Sequence, residues 1–569
     1  MISENSDNTI KVRDKDEDAL HALFNSSENY KCHFKTAYEE LALLCRQKKP
    51  PPSKTLFGIK ATHYLRDIIQ IATDSIILNH NCYGSVRWLW YLRRLPDKIF
   101  AGTYNTTIAY DRLLAEVITG YFHENDELDC KNPSLCYPIN RLVFCQICFY
   151  IAKIKFLSTL HSLYRKIGKG LVLNTASPFL DCIANAEIEE AIKMYDSRHD
   201  VSFDFQASRV GLANLQNVKD GGRLNIDTPT ACLFFYINPK IEVPILFSDG
   251  NHLKSGIGFA NFFPSILELN KILNPISNNS SSSIYLEKIS SLIQLHLILP
   301  MMLLKHPTLL GRLLQVGYFS INEDLLRNFF DKYIWEVNDF LIKNSLEDVF
   351  AKNYEDWMNN INNVPANTWP LKVGKITRRI DGQIILDFVS SSAALIQNIQ
   401  LDRSPLMGNS RAELFEMECQ DLINNSTWKP SCTIENLRGK TLRKDSILIT
   451  DIDAIGEYGK TLLIISCKSI IYDDDYDKGT YKAVKNIQST VDAAVVHWDG
   501  IIETFKRIKS GDNYDFTKYE NIIGVVCTPF VAFSPDPFTY RNIDVANLKA
   551  CISSYELSEW LKTDPVMLN

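Results

Sequence analysis

The sequence predicts a mixed α/β domain in the C-terminal third of the chain, preceded by a large and mainly helical region. Between about residues 55 and 345, apolar residues recur three and four apart, as in "THYLRDIIQIATDSIIL", which is the spacing of an amphipathic helix. Beyond about residue 370, short runs rich in β-branched residues alternate with helical segments. A mixed sheet with helices on both sides buries elements in that order.

A chain of 569 residues is expected to form two to four domains. We divide it into a polar N-terminal segment and linker at 1–54, a mainly helical region at 55–370, and an α/β domain at 371–569. The helical region has room for two subdomains, separated by a Ser/Asn-rich loop near 274–284. The last boundary lies just before "KITRRIDGQIILDFV", where Asp381-Gly382 predicts a hairpin turn.

Charge and cysteine content narrow the class of protein. The net charge of -6 argues against a protein that coats nucleic acid non-specifically, although a local basic groove is compatible with it. The 14 cysteines are scattered and the N-terminus is polar and acidic, so we expect free thiols in the cytoplasm, or in the nucleus of a eukaryotic cell. The most apolar segment, at 289–307, is interrupted by His296 and Pro300, which favours a buried helix and no membrane partner.

The C-terminal domain is predicted element by element. After the hairpin we expect a helix at 411–425, a strand at 447–455, the turn "GEYGK" and a strand at 461–467. A long helix at 480–508, a strand in "NIIGVVCTPFVAF" and a last helix from about residue 554 follow.

Polar residues interrupt or follow the two central strands of this prediction. Side chains alternate along a strand, so Asp451 and Asp453 would share one face, as would Ser466 and Lys468. If the two faces coincide, a carboxylate lies opposite an ammonium group and beside a hydroxyl group. Carboxylates bind Mg²⁺ and a lysine can orient a water molecule, so this grouping is suited to phosphodiester chemistry.

The stretch "DIDAIGEYGKTLLIISCK" resembles the core of the PD-(D/E)xK, or restriction-endonuclease-like, nucleases. In that superfamily an Asp ends one strand and an acidic-x-Lys triplet ends the next. Upstream, "AELFEMECQDLI" resembles the preceding helix of Mrr-like members, to which Phe415, Glu416, Leu422 and Ile423 conform. The resemblance implies a restriction-endonuclease-like fold for the C-terminal third and covers none of the first 370 residues.

The resemblance also implies roles for particular residues. Asp453 would bind the metal and Lys468 would be the catalytic lysine, but Ser466 stands at the acidic position of the triplet. Some members of the superfamily with such a replacement recruit an acid from a neighbouring helix. Glu416 is our first candidate for that acid and Glu418 the second.

Further ligands complete the implied site. Asp451 could contribute a carboxylate if the strand end twists, and the carbonyl of Cys467 is a candidate metal ligand. Gln488, in the helix after the triplet, resembles a position where related nucleases place a polar residue facing the site. The implied cofactor is Mg²⁺ or Mn²⁺.

The function that follows is a Mg²⁺-dependent nuclease that hydrolyses DNA, in genome defence or nucleic-acid processing. The helical region would select the substrate, bind a protein partner or restrain the nuclease. The basic run "NLRGKTLRKD" at 436–445 lies where a loop that contacts the phosphate backbone would be useful. Two alternatives remain open: a nuclease fold that has lost catalysis and only binds, for which Ser466 argues, and a helical scaffold or interaction protein.

Two other motifs have simpler explanations than metal binding. In the set Cys130, Cys136, Cys145 and Cys148, "CQIC" could form half of a zinc site, but the other pair is spaced C-x₅-C and "CQIC" lies within an apolar helical run, which favours buried thiols. The acidic run "YDDDYDKG" at 472–479 lacks the alternating ligands of an EF-hand, which favours a solvated loop.

Overall fold

A computed structural model defines the fold of much of the chain. The described residues are 28–80, 82–94, 108–120, 140–177, 179–209, 231–233, 260–262, 317–343, 351–362, 375–380, 382–388, 408–470, 474–543 and 548–563, with single residues or short runs at 137, 287–302 and 390–394. The predictions for residues 1–27, for the loop near 274–284, and for Cys130 and Cys136 lie outside the described residues.

The chain divides into two compact units. The first comprises Met1–Arg165, Val172–Cys182 and Val210–Leu401, and the second comprises Lys166–Leu171, Ile183–Arg209 and Asp402–Asn569. The second unit therefore contains a helix from the middle of the chain as well as the C-terminal third.

Helices dominate the described residues before residue 400, as the apolar spacing predicts. They are α1 (Glu28–Lys48), α2 (Gly58–His80), α3 (Ser85–Arg94), α4 (Ile108–Thr119), α5 (Arg141–Gly168), α6 (Ala186–Arg209), α7 (Glu323–Lys343) and α8 (Tyr354–Asn362). The strands are β1 (Thr55–Leu56), β2 (Val172–Asn174), β3 (Asp181–Ile183), β4 (Ala231–Leu233), β5 (Ala260–Phe262), β6 (Tyr318–Asn322), β7 (Thr377–Ile380) and β8 (Gln383–Asp387).

The hairpin predicted around residue 381 is formed by β7 and β8, and Gly382 has a φ of 74°. The domain division at residue 371 assumed that these strands belong with the C-terminal sheet, but they do not join it. Instead β8 pairs antiparallel with β6, and all three strands belong to the first unit. The sequence reveals the turn because the turn depends on local residues. It does not reveal the partner strand β6, which lies some 60 residues upstream.

One helix in the described part of the chain, α5, is long and apolar enough to cross a membrane, but 61% of its most apolar window is buried in the protein. Such burial is typical of a helix in a protein core. The described residues of the apolar segment at 289–307 are helical, and Leu292, Ile293 and Leu295 are buried.

The second unit is a mixed helix and sheet structure. Besides α6, its helices are α9 (Gly408–Asn424), α10 (Cys432–Glu435), α11 (Asp474–Lys478), α12 (Tyr481–Arg507) and α13 (Ser554–Leu561). Its strands are β9 (Leu442–Lys444), β10 (Ile447–Thr450), β11 (Ala454–Tyr458), β12 (Thr461–Cys467), β13 (Asn521–Thr528), β14 (Asn542–Ile543), β15 (Leu548–Lys549) and β16 (Cys551–Ser553). The acidic run predicted as a loop thus contains the short helix α11.

The central sheet has the strand order β11-β12-β13-β16, in which β11 is antiparallel to β12 and the other neighbours are parallel. The single strand predicted at 447–455 is wrong: β10 pairs with β9, and only β11 joins the central sheet. The turn is also shorter than "GEYGK", because Gly456 and Glu457 lie within β11 and Gly459, with a φ of 54°, begins the turn.

Both faces of this sheet are buried, so β12 and β13 are almost continuously apolar. One face packs against α12 and contains Leu462, Ile464, Val491, Val495, Trp498, Ile502, Ile522 and Val526. The other packs against α9 and α13 and contains Phe415, Cys419, Ile423, Leu463, Ile465, Cys467, Ile523, Val525, Cys527, Leu557 and Leu561. The strict alternation fixes which face each polar residue at the strand ends occupies.

Helix α9 approaches the sheet at a residue without a side chain. A Cβ atom on Gly456 would lie 2.8 Å from Ile423 Cγ2 and 2.9 Å from the Trp428 carbonyl oxygen. Glycine at this position therefore lets α9 lie close against strand β11.

Candidate active site

Asp453 lies between β10 and β11, one residue before the pair formed by Ala454 and Ile465. The antiparallel register therefore places it opposite Ser466. Its Oδ2 atom accepts hydrogen bonds from the Cys467 backbone N–H at 2.6 Å and from the Ser466 hydroxyl at 3.4 Å. The carboxylate and the hydroxyl group of the predicted site are thus in contact, and Asp451 is exposed beside them rather than on a strand face.

Lys468 follows the last residue of β12. Its backbone N–H donates to the Cys527 carbonyl at 2.8 Å, which continues the pairing with β13 and fixes where the side chain begins. Its ammonium group lowers the pKa of Asp453. Lys468 and Asp453 are therefore electrostatic neighbours, as the strand register requires.

The pKa of Asp453 is nevertheless raised above its ordinary value. Burial is the largest cause, and the charge of Asp451 adds to it. The bonds from Cys467 and Ser466 and the charge of Lys468 offset only part of this. A carboxylate in this environment is under-stabilised, and a cation would favour its charged form.

Glu416 is carried to the same place by helix α9. Gln420, one helical turn later, bonds both backbone groups of Ile455: its amide donates to the carbonyl at 2.9 Å and its oxygen accepts from the N–H at 2.9 Å. Residues four apart lie on one helix face, so Glu416 projects toward the start of β11. The pKa of Glu416 is raised, first by burial and next by the charge of Asp453.

The two carboxyl groups thus repel each other electrostatically while both are partly buried. Arg438 lies close to both residues, since its Nε donates to the Asp453 carbonyl oxygen at 2.9 Å and its charge lowers the pKa of Glu416. Glu418, the second candidate acid, is half-buried on the same helix. After burial, the charge of Asp453 is the next cause that raises the pKa of Glu416, so Glu416 is an acid that the structure couples to Asp453.

The Cys467 side chain lies on the face of the sheet that α9 covers. It is buried there with Cys419 and Cys527, whose sulfur atoms are 3.8 Å apart. A hydrogen bond with Cys419 and burial raise the pKa of the Cys467 thiol well above its ordinary value. Any part of Cys467 in metal binding would therefore fall to its carbonyl oxygen.

Gln488 lies on α12, on the other face of the sheet. It accepts a hydrogen bond from Lys485 Nζ at 2.7 Å and donates to Asp492 at 3.3 Å. Trp498 Nε1 bonds the Ile464 carbonyl at 3.4 Å. Gln488 is ten helical residues, or about 15 Å, from Trp498, and Lys468 is four strand residues, or about 13 Å, from Ile464. Gln488 therefore lies roughly level with Lys468 along the sheet.

Sequence reasoning missed Gln420 and Arg438. Gln420 is almost fully buried, at 2% exposure, and its pattern signal is a polar residue on the apolar face of the predicted helix, four residues after Glu416. Arg438 belongs to the basic run at 436–445, but only the fold brings it beside Asp453.

The donor set fits a hard divalent cation that keeps part of its water shell. In the described part of the chain, no three His, Cys, Asp or Glu side chains converge as a preformed metal site. Mg²⁺ commonly uses only one or two carboxylates, with waters and substrate phosphate oxygens as its other ligands. Asp453 and Glu416 could supply such a pair of carboxylates, since burial first and then neighbouring acidic charges raise the pKa of both groups.

Comparison of the chain with known protein families, with curated proteins and with solved structures gives no match. The interpretation of the site therefore depends on its own geometry.

Proposed function

We propose that this chain is a metal-dependent nuclease that hydrolyses phosphodiester bonds in DNA, with a restriction-endonuclease-like fold in its C-terminal unit. The observation that carries the proposal is the pairing of Asp453 and Glu416, partly buried and with raised carboxyl pKa values, beside Lys468 at one end of a mixed sheet. Genome defence or nucleic-acid processing is the setting we propose for this activity.

Each residue has a defined part in the proposed reaction. Asp453 and Glu416 would hold Mg²⁺ or Mn²⁺, with the Cys467 carbonyl as a further ligand. When bound, the ion would supply positive charge at the phosphate and acidify a water molecule. The Cys467 N–H and the Ser466 hydroxyl hold the Asp453 carboxylate in place. Lys468 orients the attacking water and offsets the negative charge that develops on the phosphate.

Cleavage assays on the full chain test this proposal. We expect wild type to cleave DNA with Mg²⁺ or Mn²⁺, and Lys468→Ala to lose about 100-fold or more in rate, since it removes a charge that stabilises the transition state. Lys460→Ala is the matched control, because Lys460 lies on the same hairpin with a side chain that is 70% exposed. Thermal melting of each variant checks folding. Equal cleavage by Lys468→Ala and wild type would exclude Lys468 from the mechanism.

The second candidate is a nuclease fold that binds nucleic acid or a protein without cutting. Ser466 favours it, because a hydroxyl group stands where a metal-binding acid is expected and its only described partner oxygen is Asp453 Oδ2. The variant Ser466→Asp separates the two in the same assay. Cleavage gained only in Ser466→Asp, with none by wild type in any divalent metal, would support the binding protein.

A further inference from the structure

A two-stranded arm leads directly into Asp453. Residues 438–453, here called the basic arm, run out along β9 and return along β10. At the base of the arm, the Gly439 N–H donates to the Ile452 carbonyl and the Arg438 side chain donates to the Asp453 carbonyl. The tip at Asp445 and Ser446 therefore lies about 20 Å from Asp453, at about 3.3 Å per residue.

The outgoing half of the arm is cationic. It carries Arg438, Lys440, Arg443 and Lys444, whereas the return half carries no Lys or Arg. Lys440 and Arg443 are exposed and border an open cleft of about 480 Å³, which Thr441, Ser446, Asp512 and Asn513 also line. The acid at the tip, Asp445, is paired with Lys444 at 3.8 Å.

The return half carries two exposed apolar side chains. Ile447 is 71% exposed and Leu448 is 64% exposed. They are consecutive in a strand, so they point to opposite sides of the arm, and both sides are open at this level. Large aliphatic groups displayed on both sides of a projecting ribbon indicate a contact surface.

Hydrogen bonds brace the tip of the arm, where the backbone conformation is strained. Asp445 and Ser446 both have positive φ, at 52° and 63°, as in a type I′ hairpin turn, and non-glycine residues adopt this conformation at a cost. The Asp512 carboxylate accepts both of their backbone N–H groups, at 2.9 and 2.7 Å. Because the Asp512 carboxylate accepts these two hydrogen bonds, its negative charge in the cleft is partly compensated.

The edge of the outgoing strand is fixed by the same loop. Asn513 accepts from the Arg443 N–H at 3.0 Å and donates to the Thr441 carbonyl at 2.9 Å, and the Asp512 N–H bonds the Arg443 carbonyl at 2.8 Å. These bonds use backbone atoms of the arm. The side chains of Lys440, Arg443, Ile447 and Leu448 are therefore left to meet a ligand from a preorganised scaffold.

We propose that the basic arm enters the major groove of duplex DNA and delivers the phosphate backbone to Asp453. This inference rests on the proposed nuclease function and deepens it by naming the substrate as double-stranded DNA. The major groove of B-DNA is wide enough for a two-stranded ribbon, whereas the deep, narrow groove of an RNA duplex is not. The length of the arm corresponds to about six base pairs at 3.4 Å each. Lys440 and Arg443 contact phosphates, and Ile447 and Leu448 contact the DNA on the two opposite sides of the arm.

The electrostatic part of the proposal is tested by measuring DNA binding. The full chain carries Asp453→Asn and the buffer contains EDTA, so that no DNA is cut. The probe is a labelled 20-base-pair DNA duplex, titrated at several salt concentrations. Replacing Lys440 and Arg443 by Gln should lower the slope of log affinity against log salt by about 1.8, and affinity by about 100-fold at 0.1 M salt. Lys506→Gln with Lys562→Gln is the control, since it changes net charge equally on two exposed helical pairs.

The apolar part is tested with Ile447→Thr and Leu448→Thr together, against Val496→Thr, which changes a side chain that is 59% exposed on α12. The arm variant should bind about 10-fold more weakly at every salt concentration with an unchanged slope, because it removes only apolar contact. The control should bind as wild type does.

The outcomes separate the arm from the nuclease. Equal binding by arm and control variants, or equal affinity for single-stranded DNA or an RNA duplex of the same sequence, would overturn the arm even if wild type cleaves DNA. If binding of duplex DNA depends on the arm but no divalent metal supports cleavage, the proposal for the basic arm stands and the proposed nuclease function is wrong.

Discussion

At the scale of single residues, Asp453 and Glu416 carry an electrostatic cost in the folded protein. Both carboxyl pKa values are raised, by burial first and then by neighbouring acids. A carboxyl group whose pKa is raised on folding stabilises the fold fully only below its unfolded pKa, and loses that contribution as the pH rises through the folded pKa. At neutral pH, ionisation of both groups therefore favours the unfolded state.

Neutral isosteres should remove this cost. We expect Glu416→Gln with Asp453→Asn to raise the urea midpoint at pH 7, and the difference from wild type to vanish near pH 3, below the ordinary carboxyl pKa of about 4. Asp421→Asn, an exposed change on the same helix, should leave the midpoint unchanged. Added Mg²⁺ at about ten times its Kd should stabilise only wild type and the control, by about 1.4 kcal/mol. A lower midpoint for the double variant at pH 7 would contradict the electrostatic account.

At the scale of secondary structure elements, the close approach of α9 to β11 places Glu416. Gly456→Ala would bring a Cβ atom to 2.8 Å from Ile423 Cγ2 and 2.9 Å from the Trp428 carbonyl, so helix and strand must separate. We expect a loss of about 1 to 3 kcal/mol in the free energy of unfolding, together with weaker metal-dependent cleavage.

Gly500 supplies the matched control for that substitution. It lies within α12, and a Cβ atom there would meet nothing within 4 Å. Gly500→Ala should therefore stabilise the protein by about 1 kcal/mol, because alanine has the higher helix propensity. Denaturant unfolding measures both variants, and equal stability of the two would show that α9 does not press on β11.

The same elements show what sequence could and could not predict. Alternation along β12 fixes the faces of Ser466 and Lys468, and the two-residue turn at Gly459 brings Asp453 opposite Ser466 by local register alone. The break between β10 and β11 was missed, because "ILITDIDAI" is continuously β-prone and only the partner strands separate it. Gln420 and the partner strand of β8 were also missed, since both depend on contacts between distant segments.

At the scale of the whole molecule, α6 belongs to the same unit as the candidate site although some 245 residues separate it from the central sheet in sequence. Arg198 donates from Nε and Nη2 to the two Glu556 carboxylate oxygens, at 2.6 and 2.8 Å, and from Nη2 to the Cys551 carbonyl at 3.0 Å. Glu556 also closes the capping box of α13 with Ser553. These bonds fasten α6 to the end of the sheet.

Arg198→Met should destabilise the protein by about 2 kcal/mol or more, because it leaves a largely buried Glu556 carboxylate without its cation. Arg541→Met is the comparison, since the side chains of Arg541 and Asp499 in that pair are about one third exposed, and such pairs contribute about 1 kcal/mol or less. Thermal unfolding at equal protein concentration ranks the two. If Arg541→Met lowers stability as much as Arg198→Met does, the contact between Arg198 and Glu556 is no more important for stability than an ordinary surface pair.

The separation of 358 residues between Arg198 and Glu556 also has a consequence during protein synthesis. A ribosome that adds about 5 to 20 residues per second needs about 20 to 70 s to reach the second partner after the first. Until then the Arg198 side chain of α6 has no Glu556 carboxylate to bind, and the central sheet lacks its last strand, β16, which pairs with β13. A nascent chain would therefore lack the complete sheet that holds the candidate site until the residues around Glu556 have been made.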